Sequence, residues 1–158
     1  MEEQQAFLDE IDKHKGIIIK ISNLYAEDPE DRKDLQQEII YQSFKSFNTF
    51  KGNSKFSTWL YKISLNVSLT YLSKRKRSAK SAELIHHEGY AETHELSERS
   101  DKLYRAIRQL NEVDRGIIML HLEGYNNIEI SEIAGISLNN AGVKLHRIKQ
   151  QLTTILNK

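Results

Sequence analysis

Near the end of the chain, Asn140, Lys144 and Arg147 lie three and four residues apart, a spacing that sets side chains on one face of a helix. Their chemistry suits duplex DNA. An asparagine amide pairs bidentately with adenine in the major groove, and lysine or arginine binds guanine or phosphate. A second group occupies residues 50–77, where Phe50, Phe56, Trp59, Tyr61 and Tyr71 alternate with lysines and small polar residues before the four cations Lys74, Arg75, Lys76 and Arg77. Aromatic faces accept unstacked bases while cations hold phosphates, as single-stranded or opening DNA requires. The competing reading puts Phe56, Trp59 and Tyr71 in a core and makes the cationic run a solvated helix end favoured by the helix dipole.

The charge of the chain is segregated in the same places. A net charge of +1 conceals 6 basic and 11 acidic side chains in residues 1–50, and 8 basic with no acidic ones in residues 51–80. Residues 81–100 return to 1 basic and 5 acidic, while residues 101–158 hold 8 basic and 6 acidic. From Leu138 to Lys158 there is no acid, only Lys144, Arg147, Lys149 and Lys158. Two acid-free stretches with an acidic one between them point to two contacts with a polyanion.

The elements that must position these groups are helices. Leu8, Ile11, Lys15, Ile18, Ile19, Ile21 and Leu24 step at three and four and predict one helix face. Asp28 and Pro29 then form a helix start, with Asp28 as N-cap and Pro29 in the first turn. Leu35, Ile39, Ile40, Phe44 and Phe47 form the next stripe, which Gly52-Asn53-Ser54 breaks. A third helix is expected from about Ser57, its apolar face running through Trp59, Leu60, Ile63, Val67, Tyr71 and Leu72. Residues 78–100 have no sustained apolar period and read as a flexible linker. Stretched, its 23 residues would reach roughly 75 Å at about 3.3 Å each. The expectation is an all-α chain of two small helical domains, residues 1–77 and 101–158, on either side of that linker.

The second domain holds a helix-turn-helix. Ile130, Ile133 and Ala134 give a short helix an inward face, and Gly135 takes the positive φ that a sharp turn needs. Ser137 or Asn139 caps the following helix, whose Leu145, Ile148 and Leu152 point inward. Gly142 costs a helix interior about 1 kcal/mol relative to alanine; it either lets the backbone approach DNA or relieves packing.

Asp34-Leu35-Gln36-Gln37-Glu38, the run from Phe50 to Asn66, and Lys74 to Arg77 resemble region two of bacterial RNA polymerase sigma factors of the sigma-70 family, in the compact form of the extracytoplasmic-function (ECF) group. Leu103 to Leu110, Asp114-Arg115, Leu122-Glu123-Gly124-Tyr125, Glu129-Ile130, Gly135-Ile136-Ser137 and Leu145-His146-Arg147 resemble region four. The resemblance implies a sigma factor, which binds core RNA polymerase, directs it to promoters and helps to melt the −10 element. Asp34, Gln37, Glu38 and Gln42 would dock on the polymerase. Phe50, Lys51, Asn53, Ser54 and Lys55 would form a loop that captures a base flipped from the −10 element. Trp59, Tyr61, Lys62, Asn66, Thr70, Lys74, Arg75 and Arg77 would face the melting strand, and Ser137, Asn139, Asn140, Lys144 and Arg147 would meet the −35 element. An anti-sigma factor is a further expected partner. Three positions depart from the group's habit: Leu69, where a basic residue is frequent, Thr70, where an amide is frequent, and Gly142, which replaces a residue that is often basic.

Other classes fit less well. Without cysteine there are no disulfides or thiolate metal sites. No apolar run approaches the roughly 20 residues of a membrane span, and the acidic N-terminus is unlike a signal peptide, so a cytoplasmic protein is expected. Ser73-Lys74-Arg75-Lys76 matches a Ser-x-x-Lys pattern without its companion motifs, and no phosphate-cradling glycine loop is present, so no enzyme is expected. His86, His87 and His94 lie in the linker with no scaffold for zinc; no cofactor is expected. A stand-alone helix-turn-helix regulator is the alternative, but it has no need of the aromatic and basic segment.

Overall fold

The computed structural model describes residues 2–79 and 98–158, which belong to two compact units. Eight α-helices and no strands occur among these residues. The expected linker, with His86, His87 and His94, lies outside the described residues apart from its two ends. Helix enters both ends, since one helix continues to Ala79 and the next begins at Glu98.

The first unit comprises α1 (Glu2–Lys13), α2 (Lys15–Tyr25), α3 (Pro29–Ser46), a 3-10 turn at Phe47–Thr49 and α4 (Phe56–Ala79). The single N-terminal helix expected from the stripe is broken at His14, whose φ of −118° and ψ of 17° are not helical. Its ring nitrogen Nδ1 lies 2.9 Å from the Glu10 carbonyl oxygen, which also accepts from the His14 amide at 3.2 Å. Two predicted inward residues, Leu8 and Ile19, are consequently half exposed, and Phe7, Ile11, Ile18, Ile21 and Leu24 form the buried face.

The start of α3 follows the sequence expectation. Asp28 accepts a hydrogen bond from the Glu30 amide at 2.9 Å, with Pro29 in the first turn. Arg32 is buried and donates through Nε to the Ala26 carbonyl at 2.7 Å, satisfying an acceptor that the end of α2 leaves open. Gln36 donates to Ser22 Oγ at 3.0 Å and so ties α3 to α2. Of the α3 stripe, Leu35 and Ile39 are buried, whereas Ile40 and Phe44 face outward. In α4 the inward line is Phe56, Leu60, Tyr61, Ser64, Leu65 and Ser68. Of the expected face Leu60 is buried, whereas Trp59, Ile63, Val67, Tyr71 and Leu72 are only partly covered.

The second unit comprises α5 (Glu98–Arg108), α6 (Glu112–Leu122), α7 (Asn127–Ala134) and α8 (Leu138–Leu156). Ala106, Ile107, Leu110, Ile117, Ile118, Leu120, Ile130, Ile133, Leu145 and Ile148 make its core. Helix α7 starts with a capping box, in which Asn126 accepts from the Glu129 amide at 2.9 Å and Glu129 accepts from the Asn126 amide at 3.1 Å. It ends at Gly135, whose φ is +72°. The amides of Gly135 and Ile136 both return to the Ser131 carbonyl, so the chain turns sharply into α8. Ser137, not Asn139, caps α8 by accepting from the Asn140 amide at 3.1 Å.

Candidate functional site

In the first unit, α3 and α4 border a groove of about 790 Å³. One wall carries Asp34, Gln37, Glu38, Tyr41 and Gln42; the other carries Asn66, Val67, Thr70, Tyr71 and Lys74. The four residues expected to dock on a protein partner therefore stand across a single concavity from three of those expected to meet a DNA strand. Gln42 donates to Glu38 Oε1 at 2.8 Å, which holds both amide and carboxylate at the rim. Along α4, Lys62, Asn66, Thr70 and Lys74 recur every fourth residue and are all exposed, with Arg77 on the same side. With about 100° between successive helix residues, Asn66 points directly away from the buried line of α4.

Two of the expected strand-facing residues sit elsewhere. Tyr61 is 3% exposed and belongs to the core, because it follows buried Leu60 and falls one turn before buried Leu65. Arg75 is not a cation held out for phosphate: it pairs with Asp31 of α3, and its Nη1 also lies 3.4 Å from Tyr71 Oη. Its hydrogen bond to Asp31 is the main cause that raises the guanidinium pKa above its usual value. Burial raises the pKa of the Tyr71 phenol, with Asp31 and Asp34 acting in the same direction and Arg75 against it. An acid-free stretch of sequence thus finds its counter-ion on another helix.

The loop between Phe50 and Phe56 is built from its ends. All five phenylalanines and the only tryptophan of the chain form one aromatic network. Phe7 meets Phe44 and Phe47, each at 5.3 Å between ring centroids. Phe47 continues to Phe56 and Trp59 at 6.3 and 6.2 Å. Phe50 contacts Trp59 at 5.3 Å and Phe56 at 5.8 Å. Phe56 is buried, while Phe50 and Trp59 are partly covered. Between these anchors Lys51, Gly52, Asn53, Ser54 and Lys55 are all exposed, and Gly52 turns the chain with φ +74°. The aromatics thus serve the core and the loop together.

One surface was not foreseen. Gln4, Phe7, Leu8, Gln37, Ile40, Tyr41 and Phe44 line an apolar depression of about 340 Å³ between α1 and α3. Gln37 and Tyr41 belong to both concavities, so the outer ridge of α3 has a polar groove on one side and an apolar one on the other. The pairs Leu35/Ile39 and Ile40/Phe44 held the signal, since they mark two adjacent faces of which only one can be buried against α2 and α4.

In the second unit, Ala141, Leu145, Ile148 and Leu152 anchor α8. Ser137, Asn139, Asn140 and Arg147 are exposed, while Lys144 is partly covered on the flank. The predicted outward face is therefore displaced: its true midline carries Asn139, Val143 and Gln150, with His146 and Arg147 on either side. Arg147 also lines a shallow groove with Gln109, Gln150 and Gln151. Neighbouring Lys149 bears on His121 of α6, whose imidazole pKa is lowered chiefly by burial and secondarily by that cation. No helix among the described residues is long and apolar enough to cross a membrane.

Residues 11–78 match the family model for sigma-70 region 2, and residues 100–152 match that for sigma-70 region 4. The chain is 26% identical to the ECF RNA polymerase sigma factor SigW of Bacillus subtilis, over 95% of this chain and 88% of that protein. It is likewise 26% identical to the ECF RNA polymerase sigma-E factor of Escherichia coli, over 77% of this chain and 72% of that one. Among solved structures, the fold is similar to the sigma factor RpoE in its complex with the anti-sigma factor NepR from Bartonella quintana. That match has a TM-score of 0.81 at 17% identity and covers 97% of this chain and 98% of that one. CnrH in complex with the cytosolic domain of CnrY matches with a TM-score of 0.67 at 17% identity, over 98% of this chain and 89% of that one.

Proposed function

Since the chain belongs to the ECF group of the sigma-70 family, the subunits that bind core RNA polymerase and direct it to promoters, we propose that the α3–α4 groove couples polymerase docking to opening of the −10 element. The observation that carries this reading is the facing of Asp34, Gln37, Glu38 and Gln42 by Asn66, Thr70 and Lys74 across one groove. A strand lying on α4 is then held next to the polymerase.

In this mechanism the second unit docks on duplex DNA at −35 through Ser137, Asn139, Asn140, Lys144 and Arg147, and sets the register of the first. Unstacking a base costs a few kcal/mol. The Phe50–Lys55 loop offsets that cost by receiving the flipped base among Lys51, Asn53, Ser54 and Lys55, while the aromatic anchors keep the loop preorganised. Lys62, Asn66, Thr70, Lys74 and Arg77 hold the phosphates of the displaced strand. Tyr61 and Arg75 act behind this surface, one in the core and the other as a brace between α3 and α4. The chain contributes binding energy and no bond chemistry, which remains with the polymerase in the cytoplasm. The exposed apolar depression between α1 and α3, next to the docking ridge, suits an anti-sigma factor that would block both surfaces at once.

The test is co-elution of the full-length protein with bacterial core RNA polymerase on a sizing column, followed by run-off transcription. Promoter-dependent transcripts that require this protein support the reading. A folded protein that binds duplex DNA tightly but never joins the core enzyme would instead be a stand-alone regulator.

A further inference from the structure

Val143 is 48% exposed, although it is an aliphatic residue in the second turn of α8. With about 100° between successive residues, it lies almost diametrically opposite the mean direction of Ala141, Leu145, Ile148 and Leu152. Its neighbours one turn away are Asn139, Asn140, His146 and Arg147, all exposed and all polar. Folding does not explain a valine there, because it buries little and β-branching lowers helix propensity. The preceding Gly142 leaves open ground beside it. A Cβ at that position would meet only Asn127 Nδ2 at 3.8 Å, an ordinary contact, so packing does not demand the glycine.

The groove-facing side of α8 thus carries an apolar spot ringed by amides and cations. We propose that Val143 is a specificity-determining residue that reads the C5-methyl group of a thymine in the −35 duplex. That methyl is the apolar feature which the major groove offers, and it distinguishes thymine from every other base. Recognition helices contact base edges through their N-terminal residues, and Val143 is the sixth residue of α8. A protein partner fits the spot less well. The next exposed aliphatic of α8, Leu138, points roughly 140° away around the helix, so no continuous apolar face exists. The absence of acid from Leu138 to Lys158 suits a polyanion. The inference rests on reading the second unit as the reader of the −35 duplex.

The experiment uses the full-length protein bound to core polymerase. A promoter library randomised at −35 is first enriched with the wild-type holoenzyme. Each thymine of the enriched element is then replaced by deoxyuridine, which removes only the methyl group, and binding is measured for wild type and Val143→Ala. The expected result is a loss of about three- to fivefold at one thymine for the wild type, from the burial of one methyl group. Val143→Ala should bind the thymine duplex more weakly by a similar factor and show no further loss with uracil. Circular dichroism should show unchanged helix, since alanine favours it. A wild type indifferent to every methyl, an enriched element without thymine, or a variant with the same methyl dependence would overturn the proposal. Equal weakening of the variant on all duplexes would do so too, by assigning Val143 to a protein contact. Failure of the wild-type holoenzyme to enrich any element would overturn the reading of the second unit itself, before any variant is made.

Discussion

The ring of Phe50 stands edge-on to that of Phe56, 5.8 Å between centroids and 86° between planes. The chain that leaves one aromatic anchor therefore returns to its neighbour after five exposed residues. A loop pinned in this way keeps its shape without buried side chains of its own, and it shares its anchors with the core. Truncation of the two anchors should separate these roles. Phe56→Ala, at a buried position, should cost about 3–5 kcal/mol of stability. Phe50→Ala should cost less, yet should reduce open-complex formation at the −10 element. Urea unfolding and permanganate footprinting of promoter complexes measure the two effects.

Glu38→Lys and Gln37→Ala change exposed residues on the rim of the groove. Both should leave the unfolding transition in place. Each should weaken association with core polymerase, by about tenfold or 1.4 kcal/mol for the charge reversal. Asn66→Ala on the opposite wall should spare that association and lower promoter opening. Fluorescence titration of labelled protein with core enzyme checks the first pair, and single-round transcription checks the last.

Arg75 and its neighbours should behave differently from one another. Arg75→Met should lower stability by no more than about 1 kcal/mol, as expected for a partly exposed ion pair. Asp31→Asn should do the same, and the double variant should add little to either. Removing a cation that neutralises phosphate, by contrast, should reduce the salt slope of DNA binding by about 0.9. Lys144, Arg147 and Lys149 are the residues on which to look for that change, with binding isotherms at several salt concentrations.

The turn of the helix-turn-helix depends on backbone conformation. Gly135 has φ +72° with open space around it, so Gly135→Ala meets no clash and only conformational strain. It should cost about 1–2 kcal/mol. Asn126→Ala removes one half of the capping box and should cost about 1 kcal/mol. Thermal unfolding of the full-length protein reports both.

His121 has a pKa below the usual imidazole value, so its neutral form is favoured in the folded state. Protonation is then easier in the unfolded chain, and the second unit should lose stability as pH falls through 6.5 and below. An NMR titration of the His121 ring should show the lowered midpoint. Lys149→Ala should raise it only part of the way, because burial is the larger cause.

Much of this architecture could be read from the residues. Asp28 with Pro29 and Gly135 with Ser137 mark helix boundaries through local chemistry, and the structure keeps them. The inward residues Leu35, Ile39, Leu145, Ile148 and Leu152 followed from helical period. Harder to read was the phase of a helix with two adjacent apolar faces. Leu8, Ile19, Ile40 and Phe44 all satisfied the period and all lie outward. Tyr61, which the family resemblance sets toward the melting strand, is 3% exposed and lies on the buried side of α4. On α8, the inward set Leu145, Ile148 and Leu152 places Val143 near the centre of the outer face, where an aliphatic side chain carries no polar signal.

By itself, the sequence determined the helical class, the helix start at Asp28 and Pro29, the turn at Gly135, the two acid-free stretches and the family. These depend on propensities and charges that act within a few residues or on composition alone. Only the tertiary structure decided that Asp31 neutralises Arg75 from another helix, that five phenylalanines and a tryptophan join in one network ending at the loop, and that the docking and strand-facing residues share a groove. Each of those depends on which helix faces meet, and that choice minimises exposed apolar area over a whole unit rather than within one segment.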